Sequence, residues 1–222
     1  MVRAVRGERS AYRPIQSSLV AGSAPAEVAA ALLARVPPPA GGAPVLYVAD
    51  LDALQGAAPQ ADALRALLAL APALELWLDA GFAHPEDAAA LAAALGADGI
   101  RVRPVFGSES LASRAALAEA GADARAILSL DCRGARPLDP AGCWDAPGLW
   151  PPTVIVMTLD RVGARGGPDL ETFGRARAAA PDRTWIGAGG VRDAADLRAG
   201  AAAGASAWLV ASALHDGTLV AG

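Results

Sequence analysis

The chain contains no lysine, because all 19 of its basic residues are arginine. Schiff-base chemistry needs a lysine amine, and the phosphate-cradling P-loop carries a lysine as well. The missing lysine therefore excludes Schiff-base aldolases, pyridoxal enzymes and P-loop nucleotide-binding proteins.

Cysteine is scarce too, since the chain has only Cys132 and Cys143, eleven residues apart. This spacing matches no common zinc motif, and two cysteines cannot frame a disulfide scaffold of this size. No set of His, Cys and carboxylate residues has the spacing of metal ligands. We therefore expect no metal, no organic cofactor and a reduced, cytoplasmic environment.

Long apolar runs are absent, although 54% of the residues are hydrophobic. None reaches the roughly 18 to 20 residues that a membrane span needs, and the charged, turn-rich residues 1–9 do not resemble a signal peptide. The net charge is −4 and the arginines are scattered, which argues against a nucleic-acid partner. The oligomeric state is not determined by these features.

From Ala43 onward, short apolar runs alternate with Ala-rich amphipathic segments, a pattern typical of parallel strands joined by helices. The sequence predicts one α/β barrel domain over residues 1–222. A doubly wound open sheet is the competitor, but no Gly-x-Gly-x-x-Gly follows the first run. The predicted strands are Val45–Ala49, Leu74–Leu78, Ile100–Val105, Ala126–Leu130, Thr153–Thr158, Thr184–Ile186 and Ala207–Val210. The predicted helices are Pro25–Val36, Ala61–Leu70, Pro85–Leu95, Leu111–Glu119, Leu170–Ala179 and Ala194–Ala203.

An internal repeat supports the closed barrel. Residues 46–52 align with residues 154–160 at an offset of 108, and at the same offset the segment Trp77–Gly81 aligns with Trp185–Gly189. Two halves of this length, each with four strand–helix units, would build an eight-stranded barrel.

Five motifs follow one another along the predicted strands, namely Leu46–Asp52, Val105–Ser108, Ile127–Gly134, Val154–Thr158 and Gly189–Val191. Together they resemble the histidine-biosynthesis barrels, the family of ProFAR isomerase and the imidazole glycerol phosphate synthase cyclase. The resemblance covers nearly the whole chain and implies a (β/α)8 barrel built from two half-barrels.

The N-terminus implies that one strand of this family pattern is missing. Val2–Gly7 resembles the segment that follows the family's first strand, which itself ends in a catalytic aspartate. If Met1 is the true start, we expect seven core strands with a gap and Val2–Val5 as a hairpin arm or edge piece. Because an open seam is costly, we expect either a mis-assigned start codon or Val2–Val5 drawn into the gap as a substitute strand. Arg9–Ser17 further resembles a divergent isomerase-related branch found with tetrahydromethanopterin-dependent one-carbon metabolism.

The resemblance implies a phosphorylated small-molecule substrate bound at two glycine loops. One loop set combines Gly81 with Gly107 and Ser108. The other combines Gly189 and Gly190 with Ala211 and Ser212. Glycine lets the backbone approach an anion, and a following helix N-terminus donates N–H groups. Alternatively, the glycines only form tight turns.

Three residues are candidate catalytic groups. Asp131 stands at the end of the fifth strand of the family pattern, where barrel enzymes keep catalytic side chains, and is the leading acid–base residue. It could instead cap the turn to Gly134. Thr158 and Asp50 occupy equivalent positions in the two halves, and each could face the ligand or stabilise its own strand and loop.

Departures from the family pattern argue against authentic ProFAR isomerase activity. The isomerase has Asp-Gly-Thr after the sixth strand, whereas this chain has Val162-Gly163-Ala164. With the first aspartate missing as well, a paired-carboxylate mechanism lacks a partner. The sequence therefore leaves open an isomerase-like enzyme and a non-catalytic phosphometabolite-binding or complex-forming barrel.

Two further positions carry expectations. Trp144 and Trp150, in a Pro/Gly-rich loop, could cover the barrel mouth or pack against its rim. His215 lies beyond the last predicted strand, and we expect it to be solvated.

Overall fold

The structure is a computed structural model that describes residues 1–3, 6, 8, 11–36, 38 and 41–219. Within these residues, parallel strands alternate with helices. The main strands are β3 (Val45–Ala49), β4 (Glu75–Asp79), β5 (Val102–Gly107), β6 (Ile127–Arg133), β8 (Thr153–Thr158), β9 (Thr184–Ala188) and β10 (Ala207–Leu209). The two-residue strands are β1 (Val2–Arg3), β2 (Arg13–Pro14) and β7 (Arg136–Pro137). The helices are α1 (Pro25–Arg35), α2 (Ala61–Leu68), α3 (Pro85–Ala94), α4 (Arg114–Ala122), α5 (Leu170–Ala179), α6 (Ala194–Ala202) and α7 (Ser212–His215).

The seven main strands form a nearly closed barrel in the order β3-β4-β5-β6-β8-β9-β10, each parallel to its neighbour. A helix lies between most pairs of consecutive strands, as parallel connections require. The predicted α/β barrel is therefore confirmed. None of the described helices is long and apolar enough to cross a membrane.

Side chains alternate between the two faces of each strand. Ile127, Ile155 and Ile186 pack together inside the barrel, whereas Leu128 and Val154 belong to the larger core beneath the helices. Both faces are buried, which explains why β8 reads as a continuous apolar run in the sequence.

Polar caps fix where three of the helices begin. Ser113, Asp169 and Asp193 precede α4, α5 and α6, and each side chain accepts a hydrogen bond from an amide in the first turn. The helix predicted over Leu111–Glu119 therefore begins at Arg114, immediately after its cap.

A seam lies between β3 and β10, the two ends of the strand order. Val45 on β3 is 44% exposed, unlike the central strands, whose side chains are largely buried. Residues 19–25, which lie 108 positions before β6, run through bends into α1 and form no strand. The prediction of seven core strands with a gap is confirmed.

The N-terminal arm lies outside that seam. Val2–Arg3 pairs in antiparallel fashion with Arg13–Pro14 in a separate two-stranded sheet. Arg6 donates its backbone N–H to Val162 O at 2.9 Å, at the carboxyl end of the barrel strands. Val2–Arg3 is thus a hairpin arm and not a substitute barrel strand; the remainder of the predicted arm, residues 4 and 5, lies outside the described residues.

Candidate active site at the barrel mouth

The carboxyl ends of parallel strands meet at one end of a barrel, and loops from several strands share that mouth. Asp131 reaches it from β6, with its side chain 4% exposed. It follows Ile127 and Ser129 by even steps, so it points into the barrel interior with Ile127. The predicted acid–base residue thus lies where a ligand in the mouth would meet it.

Three hydrogen bonds position Asp131. Ser129 Oγ donates to Oδ1 at 2.7 Å, and the amide of Glu109 approaches Oδ2 at 3.4 Å. The Asp131 amide donates to Ser108 Oγ at 2.9 Å. Burial raises the pKa of Asp131 well above its usual range, and the negative charge of Asp79 raises it further, whereas the bond from Ser129 opposes the shift. Raising the pKa of a carboxyl group widens the pH range in which it holds a proton and makes its ionised form a better proton acceptor, which suits general acid–base chemistry.

Asp79 is a second inward carboxylate that sequence reasoning missed. It ends β4, is 7% exposed, and accepts hydrogen bonds from Gly81 N at 3.1 Å and from Tyr47 Oη at 3.3 Å. Burial, followed by the charges of Asp79 and Asp131, raises the pKa of Tyr47 well above its usual range. Tyr47, Asp79 and Asp131 therefore share one electrostatic environment.

Asp79 could have been found from alternation along β4. Trp77 packs inside the barrel and Asp79 follows it by two residues, so both face the same way. None of the five family motifs includes this position.

Asp50 and Thr158 occupy equivalent positions in the two halves, and both tie a strand end to the following helix. Asp50 Oδ2 accepts from Gln60 N at 2.7 Å, and Oδ1 accepts from Ala53 N at 3.3 Å. Thr158 Oγ1 donates to Oδ2 of Asp169, the cap of α5, at 3.1 Å. Their catalytic role stays a prediction, and these contacts suit the stabilising alternative.

The first predicted phosphate loop places Gly81, Gly107 and Ser108 around the acidic interior. Gly81 has φ +68°, so it adopts the left-handed conformation that glycine favours. A Cβ atom on Gly107 would lie 3.0 Å from Asp131 Oδ2. Ser108 is fully buried, and its hydroxyl donates to Leu138 O at 2.9 Å. Gly107 and Ser108 thus lie beside Asp131, and Gly81 lies beside Asp79.

The second predicted loop contains Gly189 and Gly190, with φ +90° and +84°. A Cβ atom on Gly190 would lie 2.1 Å from the carbonyl oxygen of Gly167, so the loops after β8 and β9 are in direct contact here. Ala211 is exposed and precedes Ser212, the first residue of the four-residue helix α7.

Beside this second loop is a cavity of about 280 Å³ lined by Arg165, Val191, Arg192, Ala213 and Thr218. Its lining follows β8, β9 and β10, so it opens at the barrel mouth. Sequence reasoning missed the two arginines, because the family motif covers only the glycines. For Arg192 the available signal was its position directly after Gly189–Val191, whereas Arg165 lies in the loop after β8 and no predicted motif pointed to it.

Trp150 and His215 are buried, and the partly buried Trp144 packs against the main core. Trp150 is 2% exposed and meets Trp185 edge to face, with Nε1 donating to Cys143 O at 2.8 Å. Packing against the rim is therefore the correct alternative for Trp150. The prediction that His215 is solvated is wrong, because this residue is 3% exposed and its Nδ1 lies 3.0 Å from Ser17 Oγ.

No metal-binding group of three His, Cys, Asp or Glu side chains occurs among the residues that the structure describes. Cys132 and Cys143 are buried free thiols. Burial, with a contribution from Asp139, raises the pKa of Cys143 to about 12, so this thiol is not a nucleophile at neutral pH.

Residues 150–220 match the family model described as "Histidine biosynthesis protein". The match spans β8 to α7, and so includes the second glycine loop and the arginine-lined cavity. A search of curated proteins gives no match. The family match and the nearly closed parallel barrel together support the histidine-biosynthesis barrel family.

Proposed function

We propose that the chain binds a phosphorylated, sugar-like small molecule across the barrel mouth and catalyses an isomerisation or related proton transfer. One observation carries the proposal: a buried carboxyl group with a raised pKa and an arginine-lined cavity open at the same end of one barrel. The arginines would hold the phosphate, and Asp131 would move the proton.

Asp131 suits proton transfer because its two oxygens differ. Oδ1 accepts the short hydrogen bond from Ser129 Oγ, which fixes the carboxyl plane. Among the described residues, Oδ2 accepts only a long contact from the Glu109 amide, at 3.4 Å, so it is the oxygen that we assign to proton exchange with a substrate. The inward Asp79 carboxylate, which accepts a hydrogen bond from Tyr47, would stabilise positive charge that develops on the substrate during the transfer.

The proposed reaction is isomerase-like, and the ProFAR isomerase reaction itself is not proposed. Val162 and Ala164 stand where that enzyme has a carboxylate and a hydroxyl. A role in one-carbon metabolism that depends on tetrahydromethanopterin or methanofuran belongs to the proposal only through the resemblance of residues 9–17. The family match adds no support for that role.

A second candidate function is a non-catalytic barrel that binds a phosphometabolite or assembles into a complex. The bonding of Asp50 and Thr158 favours it, because two of the three predicted catalytic side chains hold helix N-termini instead. In this alternative the arginine-lined cavity keeps its role and Asp131 does not react.

Calorimetric titration with ribose 5-phosphate tests the phosphate site. Arg192→Gln should weaken binding by about tenfold, because charge-assisted hydrogen bonds to phosphate are roughly twice as strong as neutral ones. Arg198→Gln, on the exposed face of α6, is the matched control and should bind like the wild type. Equal affinity in all three proteins would remove the cavity from the proposal.

Proton transfer is tested separately, by NMR detection of solvent deuterium in the bound sugar phosphate. We expect exchange in the wild type and none in Asp131→Asn, with phosphate affinity and folding retained. Equal exchange in both proteins would remove Asp131 from the mechanism. Saturable binding without exchange in either protein would favour the non-catalytic barrel.

A further inference from the structure

The N–H groups of the first glycine loop already have acceptors within the chain. Gly81 N donates to Asp79 Oδ1 at 3.1 Å, and Ser108 N donates to Ser129 O at 2.8 Å. Ser108 Oγ donates to Leu138 O while accepting from Asp131 N. A phosphate placed here would have to compete for every one of these donors.

Two carboxyl groups lie beside this loop. Asp79 and Asp131 both point inward, and Asp131 Oδ2 lies against Gly107. The Asp79 carboxylate, and Asp131 whenever it is ionised, would repel a phosphate dianion, and burial strengthens such repulsion because water screens it less. Binding of an anion at the first loop is therefore unfavourable.

The cavity beside the second loop has the opposite character. Arg192 donates from Nε and Nη2 to the Asp196 carboxylate, both at 2.8 Å, and Arg165 forms an ion pair with Asp216. A guanidinium has five N–H groups, so each arginine keeps donors for a ligand. Asp196 is 6% exposed and holds Arg192 in place, while the Arg192 side chain is 53% exposed.

Glycine residues in the loops of the second half leave space for the guanidinium group of Arg192. Gly167 has φ +82°, and a Cβ atom there would lie 3.3 Å from Arg192 Nη2. Gly167 N also donates to Gly190 O at 3.1 Å, which joins the loop after β8 to the loop after β9. The backbone contact between Gly167 and Gly190 thus fixes one wall of the cavity, and the Arg192 guanidinium lies next to Gly167 on this wall.

We infer that the substrate carries a single phosphate, held by Arg165 and Arg192, and that its other end is not anionic. This inference rests on the proposed function and narrows it. A bisphosphate would place its second phosphate among Asp79, Asp131 and amides that are already bonded. A hydroxyl, carbonyl or amine group at that end can instead exchange hydrogen bonds with Tyr47 and the two carboxyl groups.

The test compares ribose 5-phosphate with ribose 1,5-bisphosphate by calorimetric titration at pH 7.5. We expect the monophosphate to bind at least as tightly as the bisphosphate. Asp79→Asn should then tighten bisphosphate binding by about tenfold and leave the monophosphate nearly unchanged, because one buried negative charge is removed. Asp131→Asn should change bisphosphate binding in the same direction but less, because the raised pKa of Asp131 leaves less negative charge to remove. Glu86→Gln, exposed on α3, is the control.

The outcomes separate this inference from the proposed function. Bisphosphate binding about tenfold tighter than monophosphate in the wild type, with no change in Asp79→Asn or Asp131→Asn, would overturn the single-phosphate inference alone. Failure of both sugar phosphates and of inorganic phosphate to bind would overturn the proposed function as well. Thermal unfolding of each variant confirms that folded protein is being compared.

Discussion

The two halves of the barrel share a backbone plan but differ in what lines their mouths. β3 and β8 correspond at an offset of 108, as do Gly81 and Gly189, which both have positive φ. The first half presents inward carboxylates, with its loop amides already bonded. The second half presents a cavity with two guanidinium groups. Under the proposed function, the repeated backbone sets where a ligand would bind, and a few side chains set which charge each half would accept.

The same comparison applies to the positions that sequence reasoning treated as ligand contacts. Asp50 and Thr158 correspond in the repeat, and both hold the start of the next helix. The residue equivalent to Asp79 in the second half is Gly187 on β9, where a Cβ atom would overlap the Trp208 ring. The chemistry of the two halves therefore differs most in the residues that face inward.

The largest expected effect comes from replacing one glycine in each half. A Cβ atom on Gly190 would lie 2.1 Å from the Gly167 oxygen, whereas one on Gly81 would lie 3.1 Å from Leu54 Cα. Gly190→Ala should lower the free energy of unfolding by about 3 to 5 kcal/mol, from backbone strain plus overlap. Gly81→Ala should cost about 1 to 3 kcal/mol, mainly from strain. Urea denaturation measures both, and equal losses would contradict the close loop contact in the second half.

Asp50→Ala should have the next largest effect. It leaves the amides of Gln60 and Ala53 without their acceptor, at a cost of about 1 to 3 kcal/mol. Asp52→Ala is the control, because Asp52 is exposed and its change should stay within about 0.5 kcal/mol. Phosphate affinity should be the same in both variants. A loss of affinity in Asp50→Ala alone would return this residue to the ligand site.

Thr158→Val tests the corresponding position in the second half. The substitution keeps the branched shape and removes the hydroxyl that donates to Asp169. We expect a loss of about 1 kcal/mol in thermal or chemical unfolding and unchanged phosphate binding. If affinity falls while stability does not, Thr158 contacts the ligand and the two halves differ at this position too.

Asp131→Asn should give the smallest change in stability, and the change should depend on pH. Burial raises the pKa of Asp131 in the folded protein, so the protonated form contributes stability that is lost as the pH rises through that value. The melting temperature of the wild type should therefore fall relative to that of the variant between acidic and neutral pH. A difference that stays constant with pH would show that Asp131 is not shifted upward.

The strands of this fold are predictable where burial on both faces makes them continuously apolar. The bounds of β3 and β8 match the predicted runs, and α5 matches because Asp169 caps it. β6 extends to Arg133, beyond the predicted Leu130, because its polar end pairs with β8 and β7. Polar residues in a strand carry no apolar signal, although here they carry the candidate chemistry.

The site was less predictable because it depends on contacts that are distant in sequence. The position of Asp131 follows from its place at a strand end, but its proximity to Asp79 requires the barrel to be assembled. Burial of His215 likewise depends on Ser17 and Ser18, which bond to it from the other end of the chain. The seven strands with a gap were predicted from the family resemblance of Val2–Gly7, and residues 19–25, which precede β6 by 108 positions, form no strand.

The most direct test of the account is the position of phosphate in crystals soaked with inorganic phosphate. The account predicts one phosphate in the cavity of the second half, within hydrogen-bond distance of the guanidinium groups of Arg165 and Arg192. It predicts none at Gly81, Gly107 and Ser108. Phosphate bound at those three residues, either alone or in addition to the arginine-lined cavity, would contradict the claim that the two halves of the mouth accept different charges.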